Sequence, residues 1–116
     1  MTTVQDLQKQ FHCCMPLFIA LGDKVRLSIV ELLTEAAVRS EDPHGTIDFE
    51  GHAMNVNEIT RRTSLSRPAI SHHLKILKDA GLVGVRQDGT ANYYYLTLRD
   101  STRSLMELGY RLEEFM

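Results

Sequence analysis

The sequence has no tryptophan, only three prolines and only two cysteines among its 116 residues. The cysteines, Cys13 and Cys14, are adjacent, so they cannot form disulfides that join distant parts of the chain. There is also no apolar run of about 18 residues, and the first residues are polar rather than basic and then apolar. These absences argue against a disulfide-stabilised secreted scaffold, a membrane span and a signal peptide, so we expect a cytoplasmic protein with no membrane partner.

The parts of a catalytic site are missing as well. The sequence shows no nucleophile paired with a base, no Gly-rich phosphate loop and no trio of metal ligands. Ser71 precedes His72 and His73, but neighbouring side chains on a helix point in different directions, and no acid is placed to orient an imidazole. We therefore predict that the protein is not an enzyme and that it uses no cofactor.

Charge is almost balanced overall but unevenly distributed. The formal net charge is -2 and the pI is about 6.2, values that do not by themselves indicate a nucleic-acid binder. Residues 58–89 contain six Lys or Arg and three Asp or Glu, a net +3, whereas residues 31–56 contain one Arg and six acids, a net -5. The basic segment is therefore the candidate surface for an anionic partner, and the acidic segment should face away from it.

Apolar residues recur every three or four positions near both ends of the chain. Residues 4–21 and 100–115 are therefore predicted to form amphipathic helices, the first with a kink at Pro16. Asp23 can cap a second helix, apolar through Ala37, that we expect to be buried. The residues that define the terminal helices are Val4, Leu7, Phe11, Met15, Phe18 and Ile19 in the first and Leu105, Leu108, Leu112 and Phe115 in the last.

Residues 38–56 change in character. A turn at Pro43 and Gly45 precedes two extended segments, residues 46–49 and 53–56, and this order predicts a short β-hairpin. The same segment contains residues that are either ligands of a metal ion or, as we favour, parts of a solvated acidic hairpin, namely His44, His52, Asp42, Asp48 and Glu50.

Two helix signals follow. Asn57 can cap a short helix that ends at Arg62, and Ser66 can cap a longer one that ends at Gly81. Residues 63–65 would join the two helices in a tight connection. Two short helices joined by such a turn are the outline of a helix-turn-helix, here at about residues 57–80.

A second hairpin follows this unit. Residues 82–86 and 91–97 are rich in β-forming side chains, and the four residues between them have the chemistry of a hairpin turn. This hairpin, at about residues 82–97, is a candidate wing. The predicted fold is mainly α with a small β component, a single winged helix-turn-helix domain over residues 1–116.

The helix that starts at Ser66 divides into two faces. One is apolar apart from His73 and should pack inward, and it consists of Ala69, Ile70, His73, Leu74, Ile76, Leu77 and Ala80. The outward residues are Arg67, Ser71, His72, Lys75 and Lys78. Such a face is often only a solvated surface. Its position after a turn and before a charged hairpin favours a probe of the DNA major groove, in which the lysines neutralise phosphates.

Three segments of the chain resemble the ArsR-type winged-helix repressors. They are PLFIALGDKVRLSIVELL, LSRPAISHHLKILKDAGLVGVRQDGTANYYYL and the terminal amphipathic helix, in that order and over nearly the whole chain. The resemblance implies a homodimer whose first and last helices form the interface. It also implies two recognition helices that enter successive major grooves of a pseudo-palindromic operator.

The resemblance also assigns contacts by position. It implies that His73 lies against the core, and that the residues facing double-stranded DNA are Ser66, Arg67, Pro68, Ser71, His72 and Lys75 on the helix, with Arg86, Gln87 and Asn92 on the wing. A dimer is expected on physical grounds too, because exposed apolar faces on both terminal helices would leave a patch that small soluble monomers seldom carry.

A sensor site is the weakest part of the resemblance. The thiol pair that some relatives carry at the start of the helix-turn-helix is absent, and residues 100–116 contain no histidine. The remaining weak candidates for metal ligands are His12, Cys13 and Cys14. Adjacent helical residues point about 100° apart, so one helix cannot easily present both thiols to one ion.

Two alternatives to a plain DNA-binding repressor stay open. In the first, Cys13 and Cys14 report oxidants, persulfides or soft metals and release the protein from DNA. We favour the interpretation in which one thiol packs as a small hydrophobe at the dimer interface and the other is incidental. In the second, the winged helix binds another protein and never touches DNA, in which case a salt titration on duplex DNA would give a flat response.

Overall fold

The computed structural model describes residues 1–38 and 48–116. In these two ranges the chain forms helices and a small antiparallel sheet, which confirms the predicted mainly α fold with a small β component. The elements are α1 (Val4–Leu21), α2 (Lys24–Val38), β1 (Met54–Asn55), α3 (Val56–Arg61), α4 (Arg67–Asp79), β2 (Val83–Asp88), β3 (Ala91–Leu96) and α5 (Arg99–Glu113). The predicted turn at Pro43 and Gly45, and His44 and Asp42 beside it, lie outside the described residues.

The two terminal helices pack on each other within one chain. The Thr2 N–H donates to Glu114 Oε2 at 2.8 Å, while Gln10 Nε2 donates to the Ser104 carbonyl at 2.9 Å. The start of α1 therefore lies beside the end of α5, so the helices run antiparallel. Cys14 is fully buried between them, with its Sγ 3.4 Å from the same Ser104 carbonyl oxygen.

Helix α2 begins where the sequence predicts and is buried along one stripe only. Asp23 Oδ1 accepts from the Val25 and Arg26 backbone N–H groups, and the hydrogen bond from Arg26 is the main cause that lowers the pKa of Asp23. The buried stripe consists of Ile29, Leu33 and Ala37. Leu27 is 43% exposed, so the expectation that the whole helix is buried was wrong. A helix on the outside of a thin domain has only one stripe to bury.

The first predicted hairpin lies partly outside the described residues, and the part from residue 48 onward differs from the prediction. Asp48 Oδ1 accepts from the Gly51 N–H at 2.9 Å, so residues 48–51 form a turn rather than a strand. The extended segment after it shortens to β1, and β1 pairs antiparallel with β3, Met54 opposite Tyr94. The strand order is β1-β3-β2. Met54 is buried in this position, which explains why the segment joins the wing sheet.

Capping residues define the helix-turn-helix. The sequence prediction placed the cap of α3 at Asn57, but the cap is Asn55, whose Oδ1 accepts from the Glu58 N–H at 2.8 Å. Glu58 Oε1 accepts in return from the Asn55 N–H, which completes a capping box. Ser66 caps α4 as predicted, since its Oγ accepts from the Ala69 N–H.

A glycine ends α4 and turns the chain into the wing. Gly81 has φ +78°, and its N–H donates to the Lys78 carbonyl at 2.9 Å. The next residue, Leu82, donates to the Leu77 carbonyl at 2.9 Å. These two bonds form a Schellman motif, and the buried Leu82 side chain anchors it. Strands β2 and β3 then pair from Val83 opposite Leu96 to the turn at Gly89 and Thr90.

The hydrophobic core lies between α2, α4 and the sheet, with α1 against it. Its fully buried large residues come from α2, α3, α4 and the connection after α4, and are Ile29, Ile59, Ile70, Leu74, Leu77 and Leu82. Three of the six belong to α4, which is therefore the most firmly embedded element on one face. No helix in the described ranges is long and apolar enough to cross a membrane.

The cap of α4 gives a stability prediction. Ser66→Ala removes the acceptor of the Ala69 N–H and should lower the free energy of unfolding by about 1 kcal/mol, measured by urea denaturation. Ser71→Ala is the matched control, because Ser71 is exposed in the middle of the same helix, where alanine is the better helix former. Equal losses for the two variants would contradict the capping role.

Candidate nucleic-acid interface

Helix α4 turns its polar face to solvent. Its inner residues are buried or half-buried, and Ile70, Leu74 and Leu77 have no exposed surface. The five residues predicted to point outward are all exposed, and they are Arg67, Ser71, His72, Lys75 and Lys78. The three cations among them form no ion pair within the described ranges. The structure therefore presents an uncompensated positive helix face.

The first turn of α4 concentrates positive charge. It contains no acidic residue, and Arg67 adds its cation to the partial positive charge of the helix N-terminus. Pro68 has no N–H, and the Ala69 N–H is used by the Ser66 cap. The turn therefore offers fewer free backbone donors than the sequence analysis expected, so the Arg67 side chain is its main donor to an anion.

A groove separates α4 from the wing. It has a volume of about 420 Å³ and lies between the first turns of α3 and α4 and the tip of the hairpin. Arg67 and Ser71 line one wall, and Asn92 lines the other. The structure thus brings together three residues that the sequence analysis selected from two separate elements.

The wing residues that were predicted to contact DNA lie on two faces of the hairpin. Gln87 pairs with Asn92, and Arg86 pairs with Tyr93, at adjacent positions of the β2–β3 ladder. Because successive side chains alternate across a strand, Arg86 lies on the face opposite to Asn92 and the groove. There the Arg86 guanidinium stacks 5.4 Å from the centre of the Tyr93 ring. All nine residues selected for DNA contact are exposed, but only Arg67, Ser71 and Asn92 line the groove.

The structure adds polar residues to this surface that the sequence analysis missed. Asn55, Asn57 and Thr90 line the same groove. Asn55 and Asn57 reach it because β1 pairs with β3, which fixes the start of α3 beside the wing. The sequence pattern predicted that residues 53–56 pair with the preceding segment, so Asn55 and Asn57 were not expected at this groove. An Asn on each side of Val56 was the available signal.

The weak metal candidates do not converge. Cys14 is buried inside the chain against α5, not at a surface that a second chain could cover, while Cys13 is exposed. The expectation that one thiol packs at a dimer interface stays a prediction, and within one chain Cys14 is covered by α5. Within residues 1–38 and 48–116, no three His, Cys, Asp or Glu side chains form a group that could hold a metal ion.

Known proteins share this architecture. A family model described as "Bacterial regulatory protein, arsR family" matches residues 49–85, which include α3 and α4. An HTH-type transcriptional regulator of Methanocaldococcus jannaschii is 36% identical over 100 residues, 86% of this chain and 94% of the relative. The transcriptional repressor SdpR of Bacillus subtilis is 32% identical over 87 residues, 72% of this chain and 79% of the relative.

The agreement extends to solved structures. The structure of reduced HlyU from Vibrio cholerae matches with a TM-score of 0.65 at 26% identity, and the match covers 94% of this chain and 97% of HlyU. It includes the winged helix-turn-helix that the sequence predicted. The chain belongs to the arsR family of bacterial regulatory proteins, and it is a DNA-binding transcriptional regulator rather than an enzyme.

Proposed function

We propose that the chain is a homodimeric repressor that inserts α4 into the major groove of a pseudo-palindromic operator. The observation that carries the proposal is the division of α4 into a fully buried apolar face and an exposed cationic one. An α-helix fits the major groove, and a helix held by its inner face presents the outer face in a fixed orientation.

Each contact residue has a role that follows from its chemistry. Arg67, Ser71 and His72 carry donors that reach base edges from the first turns of α4, whereas Lys75 neutralises a phosphate. Ser66 and Pro68 lie at the helix start, close to the backbone of the DNA. The wing residues Gln87, Asn92 and Arg86 contact the DNA beside the major groove into which α4 is inserted.

The dimer is supported by the outer surface of α1. Leu17 and Ala20 are buried, but a second apolar stripe points away from the core and is 42–56% exposed. This exposed stripe consists of Val4, Phe11, Met15 and Phe18. Its members are separated by seven, four and three positions, so they share one face of the helix. A soluble protein rarely leaves such a stripe in water, and a two-fold pairing with a second copy would cover it.

Helix α5 extends the same argument. It packs against α1 and leaves Leu105 and Tyr110 40% and 58% exposed. Pairing of the two terminal helices across a two-fold axis would put two copies of α4 on one side of the dimer. We expect a separation of about 34–36 Å, one turn of DNA.

The direction of regulation is also a proposal. The names of the relatives include the transcriptional repressor SdpR and the transcriptional activator HlyU of Vibrio cholerae. SdpR has the higher identity, 32% against 26%, and a dimer that only occupies DNA blocks transcription without further contacts. Because its target is DNA, we place the protein in the cytoplasm.

Repression has a direct test. In a purified transcription reaction, the protein should lower the yield from a promoter that overlaps the duplex it selects from random DNA. The same promoter with the duplex scrambled is the control. Increased transcription from the intact promoter would identify an activator.

Arg67→Ala should weaken binding to the selected duplex by about 1–3 kcal/mol while leaving binding to scrambled DNA nearly unchanged, because Arg67 is assigned to base edges. Lys75→Ala should weaken both equally and reduce the slope of log affinity against log salt by about one. Lys9→Ala on α1 removes the same charge far from α4 and is the control. Fluorescence anisotropy at several salt concentrations measures all three. Equal effects of Arg67→Ala on both duplexes would make it a phosphate contact.

Phe18→Glu places a charge on the exposed stripe of α1 and should dissociate the dimer, because an interface core does not accept an unpaired carboxylate. Light scattering coupled to size exclusion should give twice the 13.2 kDa chain mass for the unchanged protein and a single chain mass for the variant. Lys9→Glu introduces the same side chain on another face of α1 and should leave the dimer intact. A monomeric unchanged protein at micromolar concentration would refute the dimer.

A further inference from the structure

Arg26 connects three helices through one guanidinium group. It lies in the first turn of α2, and its side chain is only 12% exposed. Its Nε donates to the Ala20 carbonyl at 2.7 Å and its Nη2 to the Ile19 carbonyl at 3.3 Å, both in the last turn of α1. Its Nη1 lies 3.2 Å from Nδ1 of His73 on the inner face of α4.

The chemistry of this contact fixes the state of His73. A guanidinium has donors only, so Nδ1 of His73 must accept, and the imidazole must be neutral with its proton on Nε2. His73 is also the only polar side chain among the seven inner residues of α4. The other six are apolar and decide which face of α4 points inward, whereas a directional bond such as that from Arg26 sets the position of the helix more closely.

We infer that the Arg26–His73 hydrogen bond positions α4 relative to α1, and that His73 is a positioning residue for DNA recognition. The inference rests on the proposed contact role of α4. From the first turn of α2, Arg26 binds carbonyls at the end of α1, the helix that carries the exposed apolar stripe, and contacts His73 of α4. One side chain therefore connects the proposed dimer helix with the recognition helix, and loss of the bond would let Arg67 and Ser71 shift from their place beside the DNA.

Different interactions keep α4 folded on the core and set its position. Ile70, Leu74 and Leu77 are completely buried and keep α4 folded on the core by hydrophobic contact. A single hydrogen bond is small beside that burial, but it is directional. Its loss should therefore reduce recognition of a particular sequence more than it reduces folding or salt-dependent attraction to DNA.

Protonation of His73 offers an independent test of the contact. The charged and titratable groups known to face His73 are Arg26 and Asp23 at the start of α2 and His72 beside it on α4, whose ring centre is 5.9 Å away. A proton on Nδ1 removes the acceptor and places a second cation against Arg26. Asp23, 3.9 Å from Arg26, offsets only part of that repulsion. Acid should therefore break the contact.

The first test compares two variants of the full-length protein. His73→Leu removes the acceptor and should weaken binding to the selected duplex by about tenfold, with scrambled-duplex affinity nearly unchanged. His73→Asn supplies an amide oxygen near the position of Nδ1 and should restore most of the loss. Circular dichroism and thermal unfolding establish that both variants are folded. Equal affinity of His73→Leu and the unchanged protein for the selected duplex would overturn the inference.

The second test uses pH and remains decisive if His73→Leu does not fold. It compares the protein that retains His73 with the His73→Asn variant. Both also carry His72→Gln, which removes the exposed neighbouring histidine. The ratio of selected-duplex to scrambled-duplex affinity should fall by about threefold to about tenfold between about pH 7.5 and pH 5.5 with His73 present, because a proton on Nδ1 removes the acceptor. With His73→Asn the ratio should stay constant. The same change in both proteins, or no change in either, would contradict the positioning role.

The proposed function and the positioning role of His73 can be tested separately. If α4 does not contact DNA, Arg67→Ala will leave the selected-duplex affinity unchanged, and the proposed function fails together with the inference. If Arg67→Ala weakens binding while His73→Leu does not, the proposed function stands and only the role of the Arg26–His73 contact is wrong.

Discussion

Burial of one face of α4 is the constraint on which the rest of the structure depends. Ile70, Leu74 and Leu77 are completely buried, and each such side chain contributes about 1.5–3 kcal/mol relative to exposure. Rotation of the helix by one residue position, about 100°, would return part of this surface to water. The opposite face, with Arg67 and Lys75, is thereby held outward. The orientation of the DNA-facing surface is thus a consequence of core packing.

The elements around α4 convert this orientation into a surface of defined shape. The Schellman motif at Gly81 turns the chain directly from α4 into β2, so the wing begins at a fixed place. The pairing of β1 with β3 then brings the start of α3 to the wing. The groove between these elements is polar and lies beside the cationic tip of α4. Helix α1 leaves an apolar stripe exposed that does not line this groove, so the proposed DNA and dimer surfaces use different residues.

The sequence predicted the parts of this fold that depend on local signals. The Ser66 cap and the two faces of α4 follow from side-chain spacing over one helix, and the structure agrees with both. The wing follows from two β-rich runs around Gly89. In each case the relevant residues are close in the chain, so pattern and structure carry the same information.

The errors arose where distant residues decide the outcome. Residues 53–56 were paired with their neighbours in sequence, but Met54 pairs with Tyr94. The side chain of Asn57 is of a type that caps helices, but α3 begins directly after β1. Asn55 is therefore the cap. The burial of Cys14 against α5 of its own chain was not predicted either. The Arg26–His73 contact joins residues 47 positions apart and has no local signature.

The central claim is that two copies of α4 read the major groove of one duplex. Methylation of guanine N7, an acceptor that lies in the major groove, tests it most directly on a selected duplex. The account predicts that methylation blocks binding at two clusters of guanines whose centres are about 10 base pairs apart, one cluster for each recognition helix. Binding that tolerates methylation throughout the duplex, or that is sensitive at a single cluster, would contradict it.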